Sequence, residues 1–157
     1  MKLTSTYIFL FFVSLNVHAE IGYVYEADLN GDGVSDSLRS GPKAMFGNAF
    51  GPFMLSLSKP DGTSTKKVIG LHPRAAALES NDQESRIWGY IRGGLDEGGL
   101  CYTKLDGTFE EGCIDMYLNK KDNSLSREFY DLIFDENKAI QFKEIENYVP
   151  PKYEWGK

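Results

Sequence analysis

Nine consecutive residues near the N-terminus carry side chains that together could bind a metal ion. The segment reads Asp28-Leu29-Asn30-Gly31-Asp32-Gly33-Val34-Ser35-Asp36, with Asp or Asn at its positions 1, 3, 5 and 9 and glycine at 4 and 6. Hard cations such as Ca²⁺ take roughly six to eight oxygen ligands at about 2.3–2.6 Å. Closely spaced carboxylates also repel one another unless a cation lies between them. The spacing therefore predicts a Ca²⁺ site.

The predicted site closes within the nine residues. Its ligands are four side chains and one backbone carbonyl, with water completing the shell: Asp28, Asn30, Asp32 and Asp36, and the carbonyl of Val34. Gly31 and Gly33 are expected where φ turns positive, because glycine adopts that conformation without steric cost. The alternative is a turn without an ion, since Asp, Asn and Gly are also favoured in turns for backbone reasons.

The flanking sequence distinguishes this loop from an EF-hand. An EF-hand has helices on both sides and a bidentate Glu at position 12, where this chain has Arg39. The preceding residues, Ile21 to Tyr25, are β-branched and aromatic and predict a strand. The loop resembles the calcium loops of FG-GAP (VCBS-type) repeats, found in integrin-like β-propellers and secreted bacterial proteins. That resemblance covers roughly residues 23–58 and implies that Ca²⁺ lies between two strands.

The elements that position this loop are predicted to be short strands joined by turns. Alternating or β-branched segments predict strands, and Asp-Gly and Pro-Asp-Gly sequences predict the turns between them. Seven to nine strands are expected, including 53–58, 63–69, 87–91, 100–105, 113–118, 128–134 and 139–145. Residues 73–79 contain three consecutive alanines after a proline and predict one or two helical turns. Prolines predict an extended tail from about residue 147, with its aromatic side chains either packed on the domain or binding a partner.

The N-terminal 19 residues have the layout of a secretory signal peptide. Lys2 precedes an apolar segment that is too short to span a membrane, and Val17-His18-Ala19 fits a cleavage site. We therefore expect a signal peptide at 1–19, a single β-rich domain at 20–157, and a periplasmic or secreted protein. Losing Lys2 changes Lys plus Arg from 17 to 16 against 23 Asp plus Glu, and the net charge from −6 to −7. This charge disfavours nucleic acid as a partner and is compatible with a basic protein.

Two cysteines are predicted to form a disulfide. Cys101 and Cys113 are the only cysteines, and the segment between them contains the turn signal Asp106-Gly107. An even pair in an oxidising compartment usually becomes a disulfide, here across a β-hairpin. The sequence therefore predicts a mainly β fold: a single compact domain of antiparallel hairpins with little helix, one disulfide and one calcium loop.

The sequence disfavours catalysis. His72 is the only histidine after the signal segment, so neither a zinc site nor a serine triad with a G-x-S-x-G motif is indicated. The loop from Gly93 to Gly99 lacks the Lys-Ser/Thr of a phosphate-binding loop and carries two acids. Carboxylate chemistry on glycosides by Asp96, Glu97, Glu110 or Glu111 is a weak alternative, because such residues are common.

Three functional classes stay open on the sequence alone. The first is an exported, non-enzymatic, calcium-binding β-domain that binds another protein in the cell envelope. A narrower form is an inhibitor or immunity protein against a secreted or envelope-acting hydrolase, with Asp96 and Glu97 inserting into a basic partner. The second is a carbohydrate- or surface-binding module that uses the aromatic side chains Trp88, Tyr90, Tyr102 and Tyr117. The third is an enzyme.

Overall fold

The computed structural model describes residues 20–46, 50–92, 98–115, 131 and 135–155. The described chain forms nine strands and one turn of 3-10 helix, which confirms the mainly β fold. The bounds are β1 Gly22–Ala27, β2 Asp36–Ser40, the 3-10 turn Lys43–Met45, β3 Gly51–Ser58, β4 Ser64–Leu71, β5 Ala76–Ser80, β6 Ser85–Arg92, β7 Gly98–Lys104, β8 Glu111–Asp115 and β9 Lys143–Ile145.

The strands form two antiparallel sheets. The first has five strands in the order β4-β3-β2-β1-β9, and the second has four in the order β5-β6-β7-β8. Strands that are consecutive in sequence are neighbours within each sheet. Strand β9 is the exception in the described chain: it follows the second sheet in sequence but belongs to the first, where it pairs with β1. The candidate metal loop joins β1 to β2.

The two sheets share one hydrophobic core. Every second residue of a strand points to the same face of its sheet, so the apolar residues of alternating segments meet there. In the first sheet, Leu38, Leu55 and Phe53 are fully buried on this face, and Ile87 of β6 packs against them from the second sheet. The buried members of this core are Leu29, Leu38, Phe53, Leu55, Leu57, Ile69, Leu71, Ala76, Ile87, Leu105 and Ile140.

Tight turns join the hairpins, and two of them use the same chemistry. Asp61 and Asp106 each accept hydrogen bonds from the threonine two residues later, at 2.9 Å from its backbone nitrogen and 2.6 Å from its hydroxyl. The intervening Gly62 and Gly107 have φ of 82° and 86°, a conformation that favours glycine. These bonds lower the pKa of both aspartates below 3.8, the threonine hydroxyl being the largest cause.

Two predictions about secondary structure are wrong. Residues 73–79 do not form helical turns: His72 and Ala75 form a β-bridge, and Ala76–Ser80 is strand β5, paired with β6. Ala76 and Ala77 are almost fully buried, and this tertiary burial outweighs the helix propensity of alanine. The strand predicted at 139–145 is only Lys143–Ile145, preceded by an isolated bridge between Ala139 and Ala77. Of the strand predicted at 128–134, only Asp131 is described, and it is helical and not extended.

The C-terminal tail packs against the first sheet. Tyr148 is 8% exposed, and its hydroxyl donates to the carbonyl of Ser40 at 2.9 Å. A Cβ at Gly22 would lie 2.0 Å from the Tyr148 ring, so only glycine leaves room for it there. Burial raises the pKa of the Tyr148 hydroxyl above 10.0. The tail aromatics were expected either to pack on the domain or to bind a partner, and Tyr148 packs on the domain.

The disulfide between Cys101 and Cys113 is present. The two residues are directly opposite in the β7–β8 hairpin, with their Cα atoms 4.0 Å apart. Such bonds persist in oxidising compartments, which agrees with an extracellular location. No helix long and apolar enough to cross a membrane occurs among the residues that the structure describes.

Candidate functional site

The loop between β1 and β2 is organised around the carboxylate of Asp28. Its Oδ1 accepts hydrogen bonds from the backbone nitrogens of Gly31 at 2.7 Å and Asp32 at 3.1 Å, and its Oδ2 accepts one from Gly33 at 2.8 Å. Gly31 and Gly33 have φ of 79° and 84°, which confirms the prediction for both. The loop therefore curls over one carboxylate, which holds three of its backbone N–H groups.

Asn30 and Asp32 form a second, exposed part of the loop. The Asn30 amide nitrogen donates to Asp32 Oδ2 at 3.1 Å, and the Asp32 backbone nitrogen donates to Asn30 Oδ1 at 3.2 Å. Asp32 Oδ1 accepts the backbone N–H of Val34 at 2.8 Å. These two predicted ligands thus lie side by side, within reach of water and ions.

The side chain of Asp36 points into the interior of the protein. It is 1% exposed, its Oδ2 accepts the buried backbone N–H of Leu29 at 3.0 Å, and its Oδ1 accepts that of Ser58 at 2.7 Å. Leu29 belongs to the loop and Ser58 ends β3, so one carboxylate connects the loop, β2 and β3. A role as a structural acceptor was not predicted for this residue, and its distance in sequence from Ser58 explains why.

The structure brings the predicted ligands into one loop but not into a closed cage. Over the described part of the chain, no three His, Cys, Asp or Glu side chains come close enough together to hold a metal ion. Nor does any Lys or Arg in this part form an ion pair with Asp28, Asp32 or Asp36. The carboxylates of the loop are held mainly by backbone N–H groups, which supply partial charges only.

The remaining candidate residues are dispersed. His72 accepts the backbone N–H of Arg74 at Nδ1, at 3.1 Å, and burial followed by the charge of Arg74 lowers its pKa below 6.5. Glu110 pairs with Lys104 at 2.6 Å and raises the pKa of that lysine. Asp96 and Glu97, the residues considered for partner binding, lie outside the described residues.

Of the aromatic side chains considered for carbohydrate stacking, Trp88 and Tyr102 do not form an open platform. Trp88 is 2% exposed, its indole nitrogen donates to Glu79 at 2.8 Å, and its ring is tilted by 57° against that of Tyr102. The Tyr102 ring is covered in turn by the guanidinium of Arg86, 4.6 Å from its centroid. Tyr117 lies outside the described residues.

Sequence reasoning missed a groove along the edge of the first sheet. A cavity of about 560 Å³ follows strand β4 between the turn at Phe109 and the tail residue Tyr153. Met45, Phe50 and Tyr153, which line it, are 39%, 38% and 47% exposed and belong to the small set of exposed large hydrophobic residues. The sequence near each of these residues does not predict that they line one groove, because they come from three separate connecting segments.

Comparisons of this chain with protein-family models, with curated proteins and with solved structures gave no match.

Proposed function

We propose that this protein is an exported, non-enzymatic β-domain that binds Ca²⁺ at residues 28–36 and binds another protein in the cell envelope. The observation that carries the calcium part is the charge of the loop. Three carboxylates lie within nine residues, and no cationic side chain of the described chain pairs with any of them. A divalent cation would supply the missing positive charge.

The residues of the loop suit a hard cation in type and order. Asp28, Asn30 and Asp32 offer carboxylate and amide oxygens, which calcium prefers, and the Val34 carbonyl and water would complete the shell. A carboxylate has about four lone-pair sites, so the oxygens of Asp28 and Asp36 keep acceptor capacity beyond the N–H groups they already accept. Ca²⁺ would replace the Asn30 amide nitrogen as the partner of the Asp32 carboxylate, and the amide oxygen of Asn30 would then face the ion.

The protein-binding part rests on the surface of the molecule. Export and a disulfide are typical of domains that act outside the cytoplasm. The exposed apolar residues Met45, Phe50 and Tyr153 converge on one groove rather than being scattered singly. Contiguous exposed apolar side chains are more often part of an interaction site than apolar side chains exposed singly. A non-enzymatic role is supported by His72, whose Nδ1 is already used by the backbone of Arg74.

Isothermal titration calorimetry with CaCl₂ tests the calcium site. The full-chain protein, first treated with a chelator, should bind one Ca²⁺, and the Asp32→Ala variant should lose this heat. Asp82→Ala is the matched control, because Asp82 is an exposed acid in another turn of the chain. At a Ca²⁺ concentration of about 100 times Kd, the ion should stabilise the fold by roughly 2.7 kcal/mol. No binding by the unmodified protein at millimolar Ca²⁺ would remove the site.

A further inference from the structure

Among the residues that the structure describes, strand β4 presents an unpaired backbone edge to the groove. It is the last strand of its sheet, and the groove is lined by its residues 66–70. A free strand edge offers a row of N–H and C=O groups to which another chain can add as a strand. The described residues show which of these groups are available.

The orientation of the edge follows from two hydrogen bonds of β3. The Pro52 carbonyl accepts from Gly41 at 2.7 Å, and the Ser58 nitrogen donates to Asp36, so both residues face β2. The backbone groups of successive strand residues point to opposite sides, so Phe53, Leu55 and Leu57 face β4, whereas Met54 and Ser56 face β2. Phe53, for example, pairs with Ile69.

The same alternation leaves every second residue of β4 facing outwards. Lys66 and Val68 are opposite Ser56 and Met54, which face β2, so their N–H and C=O groups point away from the sheet. Within the described chain no hydrogen bond reaches these backbone groups. The free edge ends at Gly70, whose carbonyl oxygen is 3.3 Å from where a Cβ of Gly89 would lie.

The groove is lined mainly by apolar residues, although the chain as a whole carries a net charge of −6. Its charged residues are Lys66, Lys67 and Glu154. Lys67 is paired with Glu111 at 3.1 Å, whereas Lys66 is exposed and has no acidic partner among the described residues. An adjoining pocket of about 180 Å³, which shares Phe50 with the groove, adds the charge of Lys43.

These charges select the occupant. A second copy of this chain paired through β4 would add two further lysines and no acid, because the strand Ser64–Leu71 contains Lys66 and Lys67 but no Asp or Glu. An extended segment with acidic side chains would instead place opposite charges beside Lys66. Apolar side chains alternating with the acids would lie on the other face of the strand, where Lys67 donates to the carbonyl of Phe109, and would contact Phe109 there.

We propose that an extended segment of a partner protein, with alternating acidic and apolar side chains, adds as a strand to the free edge of β4. This proposal rests on the protein-binding part of the proposed function and is independent of Ca²⁺. It differs from the sequence-based expectation of a basic partner, which used the net charge of the whole chain and the acids Asp96 and Glu97 and not the charge of this groove.

A labelled peptide, acetyl-Glu-Val-Glu-Phe-Glu-Val-Glu-amide, is the probe, and fluorescence polarisation with the full-chain protein is the measurement. We expect saturable binding that is at least tenfold weaker when Lys replaces Glu in the peptide. Alternate backbone nitrogens of the peptide point to the same edge of it. Methylating one alternate set should abolish binding and methylating the other set should not, because only one edge of the peptide donates to β4. Tighter binding of the Lys peptide would overturn the proposal.

Two protein variants locate the site. Val68→Pro removes an outward N–H without removing a hydrogen bond to β3, so the fold should persist while binding weakens at least tenfold, with Val68→Ala as control. Lys66→Glu should weaken binding at least fivefold. Lys138→Glu, the same charge change at an exposed turn away from the groove, should leave binding unchanged.

Amide hydrogen exchange of the unmodified protein gives a readout that needs no variant. Peptide binding should slow exchange at Lys66 and Val68 and leave Lys67 and Ile69 unchanged, since these already donate to β3. Binding without this alternating protection, or a dimer in sizing experiments that Val68→Pro dissociates, would refute strand addition by a partner. Calcium titration of the same sample shows separately whether the metal part of the proposed function holds.

Discussion

Replacing Asp36 with alanine tests whether one buried carboxylate connects the loop to the sheet. The variant would leave the N–H groups of Leu29 and Ser58 without their acceptor, at sites where the first is buried and the second half-buried. The loop and the end of β3 are joined by this side chain across 22 residues of sequence. The loss should therefore affect the whole domain and not only the loop.

The size of the effect follows from these two bonds. A buried donor left without a partner costs about 1–3 kcal/mol, and bonds to charged groups lie in the upper part of that range. The buried Leu29 N–H should cost more within this range than the half-buried Ser58 N–H, and the two costs together give a destabilisation of about 3 kcal/mol. For a domain of this size, 1 kcal/mol corresponds to about 3–5 °C in Tm, so Tm should fall by roughly 10 °C.

Urea unfolding followed by circular dichroism measures this change, with and without a chelator. Asp28→Ala is the matched control: its three N–H partners are exposed, so water can replace the carboxylate and the loss should stay below about 1.5 kcal/mol. Asp36→Asn keeps one acceptor oxygen and should fall between the two. With chelator present, equal losses in Asp36→Ala and Asp28→Ala would refute the assignment of Asp36 as the structural link.

Replacing both Cys101 and Cys113 with alanine should lower the free energy of unfolding by about 3 kcal/mol, because the closed loop no longer restricts the unfolded chain. Equal urea midpoints for this variant and the oxidised protein would contradict this. Thr63→Val should raise the pKa of Asp61 towards 3.8 in a carboxyl NMR titration, with Asp106 unchanged as internal control. Because the pKa of Asp61 is lowered in the folded protein, its ionised form stabilises the fold above pH 3.8, and this stabilisation disappears as pH falls through the folded pKa. The difference in stability between the unmodified protein and Thr63→Val should follow the same pH dependence. If the pKa of Asp61 does not change in the variant, the hydroxyl of Thr63 is not the cause of the lowered pKa.

Features encoded in neighbouring residues could be predicted from the sequence. Positive φ at Gly31 and Gly33 follows from a loop that must reverse within a few residues. The disulfide across the β7–β8 hairpin followed from two cysteines on either side of one turn signal. The Ca²⁺ ligand set stays a prediction, because its residues lie in one loop but not in a closed cage.

Features that depend on contacts between distant residues needed the tertiary structure. Ala77 is in a strand because it is buried between β6 and the segment at Ala139, although its neighbours favour helix. The carboxylate of Asp36 lies inside because Ser58 of β3 supplies a donor there.

The sequence by itself determined a β-rich chain with one acidic glycine-containing loop and one hairpin disulfide. Only the tertiary structure decided that β4 is an edge strand and that Phe50, Phe109 and Tyr153 meet beside it. The physical reason is that alternation and turn chemistry act over a few residues. Strand order and the sharing of buried donors are fixed by packing between residues far apart in the chain.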